Sequence, residues 1–199
     1  MDDFILRTIE QGGYWGIAFL MVIENVFPPI PSELIMGLGG VAVARGTMDF
    51  WPLLFAGTAG STVGNYVWFL AGDKWGYQRL EPIVRRWGRW LTLDWQHIEQ
   101  ASEFLRKYGQ WAVFLLRFSP FLRTMISLPA GLAHMSHWRF LVFTFAGAAV
   151  WNVALIAGGQ WLAYYLDEYD HWLSWAIIVG VVVMLVAYVW RVLTWKPRD

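Results

Sequence analysis

The sequence predicts an all-α integral membrane protein. Its expected architecture is an inverted-repeat bundle of two opposing re-entrant (broken) helical hairpins plus about three full spanning helices. Of the 199 residues, 57% are hydrophobic and 15% are charged, whereas a soluble domain has about 25% charged residues. Tryptophan, which collects at membrane–water interfaces, occurs 15 times. In two places, prolines and charged residues interrupt apolar sequence, and this pattern predicts the broken hairpins.

Charge and composition exclude several classes of function. The formal net charge is zero, which gives no electrostatic basis for binding nucleic acid. The absence of cysteine rules out a disulfide, a catalytic thiolate and a Cys-ligated metal. The histidines have no third ligand at a suitable spacing, and the serines lie in no nucleophile motif. The sequence therefore predicts no enzyme and no metal site, and it indicates no cofactor.

The first element is an interfacial segment, and the second is a hairpin. Residues 1–13 mix acidic and apolar side chains, as an amphipathic helix at a membrane surface does, and Gly12-Gly13 should end it. Residues 14–44 predict the hairpin, because the apolar run 14–23 is about half the ~20 residues that a span needs. Prolines break the helix, and Ser32 is the expected N-cap of a second short helix. The predicted hinge residues of this hairpin are Pro28, Pro29 and Pro31.

A span and a polar connector follow. Residues 50–72 are long enough to cross a bilayer. A stripe of small residues repeats every four positions and predicts close helix contact: Ala56, Gly60 and Gly64. Residues 73–107 are rich in lysine and arginine, which indicates a cytoplasmic connector. Within it, Asp94 is a plausible N-cap for an amphipathic helix to about Tyr108, which we interpret as part of a solvated connector.

Residues 108–134 repeat the hairpin pattern. Arg117 and Arg123 stand in otherwise apolar sequence, where a charge costs about 2.5–3.5 kcal/mol at a helix centre on insertion scales. Such a cost indicates a functional or paired site. The predicted hinge residues are Pro120, Pro129 and Gly131.

Two further spans complete the chain. Residues 138–166 form a predicted span that closes a transmembrane unit of residues 14–166, and residues 172–195 form a final transmembrane helix. The acidic loop between these spans suits the outer side. The basic C-terminus should lie in the cytoplasm.

The two halves of the chain show an internal repeat. Phe55-Ala56-Gly57 recurs as Phe145-Ala146-Gly147, an offset of 90 residues (145 − 55). At the same offset, Glu33 corresponds to Arg123. The first hairpin is therefore acidic and the second is basic, so their tips can neutralise each other. Inverted repeats with broken helices are typical of transporters.

These residues together resemble the DedA family, also described as the SNARE-associated Golgi or VTT-domain superfamily. In the first half, the resemblance rests on Glu24 and on Pro31-Ser32-Glu33. In the second half, it rests on Arg117-Phe118-x-Pro120-x-x-Arg123 and the following Ala130-Gly131. The resemblance covers about residues 14–165, and its last part consists of Phe140, Gly147 and Trp151.

The resemblance implies a fold and a function. It implies paired re-entrant hairpins and a role in moving lipids across the bacterial cytoplasmic (inner) membrane, dependent on the proton-motive force. Members of the family are implicated in returning undecaprenyl phosphate, the cell-wall lipid carrier, and others are linked to phosphatidylethanolamine. The family's essential acids would match Glu24 and Glu33, and its essential arginines would match Arg117 and Arg123.

The residues favour a mechanism in which a lipid phosphate and a proton are exchanged. Arg117 and Arg123, with Ser32 and Asn65, would bind the phosphate, because a guanidinium offers a fixed fork of donors. Glu24 or Glu33 would carry the coupling proton, because a low-dielectric cavity and a nearby arginine act oppositely on a carboxyl group.

Alternatives remain open on the sequence alone. The charged residues could be buried salt bridges that pin the hairpins, and this role is compatible with transport. Asn65 and Asn152 could simply bond between helices. The protein could be a phosphatidylethanolamine flippase or scramblase, or an ion channel or osmotic-stress protein. A membrane enzyme acting on lipid phosphates would need a nucleophile or metal beside the arginines. A homo-oligomer is compatible with the sequence.

Overall fold

The computed structural model describes residues 2–26, 32–91, 95–118, 123 and 126–166. This part of the chain is all-α, as predicted, and contains no strand. Its helices are α1 (Asp2–Val26), α2 (Ser32–Ala44), α3 (Phe50–Leu91), α4 (Trp95–Tyr108), α5 (Gln110–Leu116), α6 (Ser127–Leu132) and α7 (His137–Leu166). The predicted span 172–195 lies outside the described residues, as do the predicted hinges Pro28, Pro29, Pro31 and Pro120.

Two of these helices contain a break at a glycine. Gly13 in α1 has φ 51°, and Gly76 in α3 has φ 61°. This left-handed backbone is accessible to glycine at no steric cost. The break at Gly13 separates the predicted interfacial segment from the first arm of the predicted hairpin. The break at Gly76 lies four residues beyond the predicted end of the span 50–72.

One helix among the described residues is both long and apolar enough to cross a membrane, at His137–Tyr164. The sequence predicted about three. Residues 50–72 do form continuous helix, but their buried face includes Gly60, Ser61 and Asn65, which makes this stretch less apolar. Helix α2 is apolar but has 13 residues, fewer than the ~20 that a span needs.

The hairpin arms pack in a crossed pattern. In the first half, α1 packs against α3, whereas α2 packs against α7. In the second half, α5 packs against α7, whereas α6 packs against α3. Each half therefore places its second arm on the long helix of the other half.

Glycines allow both of the crossed contacts. A Cβ atom at Gly40 of α2 would overlap the backbone of α7, and one at Gly159 of α7 would overlap the backbone of α2. In the same way, Gly72 of α3 and Gly131 of α6 each lie against the other's backbone. Small residues that let helix backbones approach are typical of membrane helix packing. The two crossed contacts are therefore built alike.

The sequence predicted Pro129 and Gly131 as hinge residues, and this role stays a prediction. Both residues lie inside α6 and are buried. Pro129 is in the first turn, where the missing N–H would have had no helical partner. Gly131 continues the helix and serves the contact with α3.

Two apolar clusters lie on either side of a polar layer. The first contains Ile17, Leu20, Met36, Leu53 and Ile156, and the second contains Phe69, Leu105, Val113, Ile126 and Phe140. Along α3, the buried polar residues fall between Leu53 and Phe69. The functional candidates lie in this layer.

Helix α4 is docked rather than fully solvated. Ile98 and Leu105 are 2% exposed and Ser102 is fully buried, and α4 packs against α6. Tyr77 of α3 donates a hydrogen bond to Ser102 at 2.7 Å. The solvated-connector interpretation is therefore wrong for this helix, because its apolar face is covered.

Candidate functional site

The acidic and basic residues of the two predicted hairpins meet at Arg123. Its Nη2 atom lies 3.0 Å from an oxygen of Glu33 and 3.4 Å from an oxygen of Glu24. It also donates to the hydroxyl of Ser32, the first residue of α2. Glu33 and Arg123, which the repeat relates by 90 positions, are thus direct partners.

Arg117 has a different environment. It follows α5 and is 2% exposed, with Nη2 donating to the hydroxyl of Ser127 at 3.4 Å. Its Cζ lies 5.9 Å from the centre of the Phe140 ring, a cation–π contact. Among the described residues, no carboxylate pairs with it and its Nε has no hydrogen-bond partner. A buried charge in such a position is costly unless an anion compensates it.

A chain of hydrogen bonds joins the two arginines. Ser127, which accepts from Arg117, donates to Oδ1 of Asn65 at 2.7 Å. Nδ2 of Asn65 donates to Oδ1 of Asn25, and Nδ2 of Asn25 donates to Oε2 of Glu24. The other oxygen of Glu24 accepts from Arg123. We call this chain the polar network, comprising Arg117, Ser127, Asn65, Asn25, Glu24 and Arg123.

The two asparagines predicted to bond between helices do so. Asn65 of α3 contacts Asn25 of α1 and Ser127 of α6, and it is fully buried. Asn152 of α7 donates to Thr58 of α3 at 3.2 Å. Asn65 lies inside the polar network and behind the cleft, where it donates to the backbone carbonyl of the cleft residue Ser61 at 2.8 Å.

Both arginines line one cleft between α1, α3 and α7. Its lining residues are Met21, Ser61, Arg117, Arg123, Ala148, Trp151 and Asn152. The Cζ of Arg123 lies 5.5 Å from the centre of the Trp151 ring. The indole nitrogen of Trp151 is buried and, within the described part of the chain, unpartnered. The cleft thus offers two cations and unused N–H donors.

Asn25, Ser127 and the role of Trp151 were not found by reasoning from the sequence. Asn25 follows Glu24 at the end of an apolar run, and a polar residue at membrane depth is itself a signal. Ser127 lies in no motif. Its role depends on partners 10 and 62 positions away, which the sequence does not reveal.

A second polar cluster lies at the start of α7. Asp73 is 2.9 Å from Nδ1 of His134 and 3.4 Å from Nε2 of His137. Tyr66 lies 2.8 Å from the other ring nitrogen of His137. Within the residues described, no group of three His, Cys, Asp or Glu is arranged to hold a metal ion.

The family of the chain follows from comparison with family models. The VTT domain model matches residues 30–161, about two thirds of the sequence. The chain belongs to the VTT-domain (DedA) family. The matched range contains Arg117, Arg123 and Glu33, whereas Glu24 precedes it.

Relatives align with this VTT-domain protein over almost its whole length. An "Alkaline phosphatase-like protein" of Lactococcus lactis is 34% identical, covering 100% of this chain and 96% of the relative. An "Undecaprenyl phosphate transporter A" of Staphylococcus aureus is 30% identical, covering 95% and 97%. The protein of the same name in Bacillus subtilis is 31% identical, covering 93% and 91%.

Other relatives are named as uncharacterized membrane proteins, which supports a membrane location for this VTT-domain chain. No solved structure matches it significantly.

Proposed function

We propose that this VTT-domain protein is a lipid translocase that moves a phosphate-bearing lipid, undecaprenyl phosphate, across the bacterial cytoplasmic membrane with proton coupling. The observation that carries the proposal is the cleft lined by both Arg117 and Arg123, one of them without an anionic partner in the described residues. Relatives named as undecaprenyl phosphate transporters, aligned over nearly their full length, support the choice of lipid.

The first step is capture of the phosphate. A phosphate group can enter the bilayer interior only with compensating charge, and an arginine fork supplies charge and directed donors together. Arg117 is the primary binding residue in this proposal, because a phosphate would give its buried guanidinium the missing anion. Arg123 and Ser32 complete the site, and Asn65 acts through Ser127 to hold Arg117 in place.

The second step is exchange of the phosphate for a proton. Arg123 is shared between Glu24 and Glu33, so a phosphate that draws Arg123 away leaves the acids without their cation. A carboxylate deprived of its cation in a low-dielectric site takes up a proton. Glu24 is the stronger candidate for the proton carrier, because its side chain is 6% exposed whereas that of Glu33 is 34% exposed.

The proposed topology makes the site accessible from both faces. Helices α1 and α2 form one re-entrant hairpin, α5 and α6 form the other, and the two halves are inverted repeats. The crossed packing of the arms and the matching glycine contacts support this arrangement. The protein is multi-pass, and its C-terminus is in the cytoplasm. The lipid tails remain in the bilayer while the head group passes between the hairpin tips.

Reconstitution into liposomes tests the proposal. Labelled undecaprenyl phosphate and, separately, labelled phosphatidylethanolamine are followed across the bilayer with and without a pH gradient. We expect the protein to translocate undecaprenyl phosphate and the gradient to accelerate it. Movement of phosphatidylethanolamine alone would assign a phospholipid flippase, and an ion current without lipid movement would assign a channel. Release of inorganic phosphate, measured in the same vesicles, would assign an enzyme.

A further inference from the structure

We propose that Trp151 is a head-group-binding residue whose indole N–H, together with the Nε–H of Arg117, donates to oxygens of one phosphate group. This inference rests on the proposed function and deepens it by adding a specific contact. Its ligand chemistry is a phosphate with at least two unesterified oxygens.

Unpartnered donors collect at the cleft. Among the described residues, three buried side-chain nitrogen or oxygen atoms have no hydrogen-bond partner: Arg117 Nε, Trp151 Nε1 and Thr144 Oγ1. Arg117 and Trp151 both line the cleft, whereas Thr144 does not. Native structures leave few buried polar groups unsatisfied, so two at one cleft indicate a ligand that supplies acceptors.

The backbone of α7 places these two donors near each other. Gly147 precedes Trp151 by one helical turn and lies on the same face. A Cβ atom at Gly147 would lie 3.0 Å from Cδ of Arg117, so the Arg117 side chain runs directly along this face. The missing side chain at position 147 therefore lets Arg117 approach the helix that carries Trp151.

Trp151 also orients the second cation. The face of its ring contacts the guanidinium of Arg123, with 5.5 Å between Cζ and the ring centre. Trp151 thus contacts Arg123 through the face of its ring, while the indole N–H of Trp151 has no partner among the described residues. Neither the ring contact nor the apolar packing explains why the unsatisfied N–H is buried here. A phosphate oxygen explains it, because a charged acceptor forms a strong bond with such a donor.

The test distinguishes the contribution of the Trp151 indole N–H to phosphate binding from that of the aromatic ring. Trp151→Phe keeps an aromatic face for Arg123 and removes the donor. Binding to the purified protein is measured as ligand-induced thermal stabilisation with three probes: undecaprenyl phosphate, undecaprenol and inorganic phosphate. We expect Trp151→Phe to weaken undecaprenyl phosphate binding about tenfold, the loss of one hydrogen bond to a charged group. No hydrogen bond within the described residues is lost, so any fall in the stability of the ligand-free protein reports the smaller ring alone.

The controls identify the source of any effect. Thr144→Val removes the third unpartnered atom, on the same helix but outside the cleft, and should leave binding unchanged. If inorganic phosphate stabilises the wild type as strongly as the lipid does, the site takes free phosphate. If undecaprenol binds equally well and equally in Trp151→Phe, the phosphate contact is refuted.

The inference and the proposed function can fail separately. Unchanged lipid phosphate binding in Trp151→Phe, combined with loss of binding in Arg117→Gln, overturns the Trp151 contact and keeps the proposed site. Absence of lipid phosphate binding in the wild type overturns both. Should Trp151→Phe fold poorly, benzothienylalanine at position 151 keeps the bicyclic shape, replaces the N–H by sulfur and gives the same comparison.

Discussion

Arg117 and Arg123 line the same cleft, yet their surroundings are opposite. Arg123 contacts two carboxylates and the Ser32 hydroxyl, so its charge is compensated within the protein. Arg117 is more deeply buried and has one long hydrogen bond, to Ser127, and a contact with an aromatic ring. Under the proposed function the two arginines have different roles: Arg123 stabilises the fold and responds to the protonation of its carboxylate partners, whereas Arg117 binds the phosphate. Four substitutions test whether the two arginines differ in this way.

The largest expected effect is on transport in Arg117→Gln. Removing a buried charge that has no carboxylate partner removes a desolvation cost, so we expect unfolding in mixed micelles to need at least as much denaturant as the wild type. Transport of undecaprenyl phosphate in liposomes should fall by roughly 100-fold or more, because charge-assisted bonds to phosphate are lost. A large loss of stability together with partial transport would show that Arg117 is a structural residue.

Arg123→Gln should have the reverse profile. It leaves the buried Glu24 and the partly exposed Glu33 without a cation, and breaking a buried ion pair costs about 3 kcal/mol or more. We expect a matching drop in the free energy of unfolding, measured in mixed micelles. The double variant Glu24→Gln with Arg123→Gln should recover much of this loss. Failure of the double variant to recover stability would contradict the assigned pairing.

Asn65→Leu tests the connection between the two arginines. The change keeps the branched side-chain shape but removes the acceptor of the Ser127 hydroxyl and the donor to Oδ1 of Asn25, at a cost of about 1–3 kcal/mol. We expect transport to fall about tenfold, and the pH gradient should no longer accelerate it, because the phosphate and proton sites are uncoupled. Thr62→Val, which removes a buried bond to the Thr58 carbonyl outside both the cleft and the polar network, is the matched control. Equal loss of pH response in both variants would refute a specific coupling path.

The smallest expected effect comes from Gly147→Ala. The new Cβ would lie 3.0 Å from Cδ and 3.1 Å from Cβ of Arg117, so it should shift this side chain by a few tenths of an ångström. We expect undecaprenyl phosphate transport to fall several-fold, since head-group geometry is sensitive to such shifts. The control is Gly57→Ala at the corresponding position of the first half, where the new Cβ meets the flexible end of Met36 and makes an ordinary contact with Nδ2 of Asn152 at 3.6 Å. A greater loss of transport in Gly57→Ala than in Gly147→Ala would show that Gly147 has no specific role in the head-group site.

The charge pattern of the two halves predicted part of the site. Because Glu33 and Arg123 fall at equivalent places in the repeat, the sequence pointed to acid and base meeting, and the structure places them 3.0 Å apart. The break in α1 was also readable, since it falls at Gly13 of the Gly12-Gly13 pair. These features depend on residue type and spacing, which the sequence states directly.

Other features depend on which distant faces meet, and the sequence does not state that. The polar network uses Asn25, Asn65 and Ser127, which belong to three separate helices. Pro129 suggested a hinge, but its place in the first turn of α6 makes it compatible with a regular helix. Helix α4 was interpreted as solvated, although its apolar face is buried at Ile98 and Leu105, and the sequence does not state which helix covers that face.

The crossed packing has a mechanical consequence. Since α3 holds α1 and α6 while α7 holds α2 and α5, six of the seven described helices form two three-helix groups, which meet where α3 packs against α7. The first group carries Glu24, Asn65 and Ser127, and the second group carries Glu33 and Trp151. Sliding one group past the other would separate the arms of both hairpins at the same time. It would also stretch the bonds that Arg117 and Arg123 make across the interface between the groups. The anion bound to each arginine would then determine whether the two helix groups can move relative to each other.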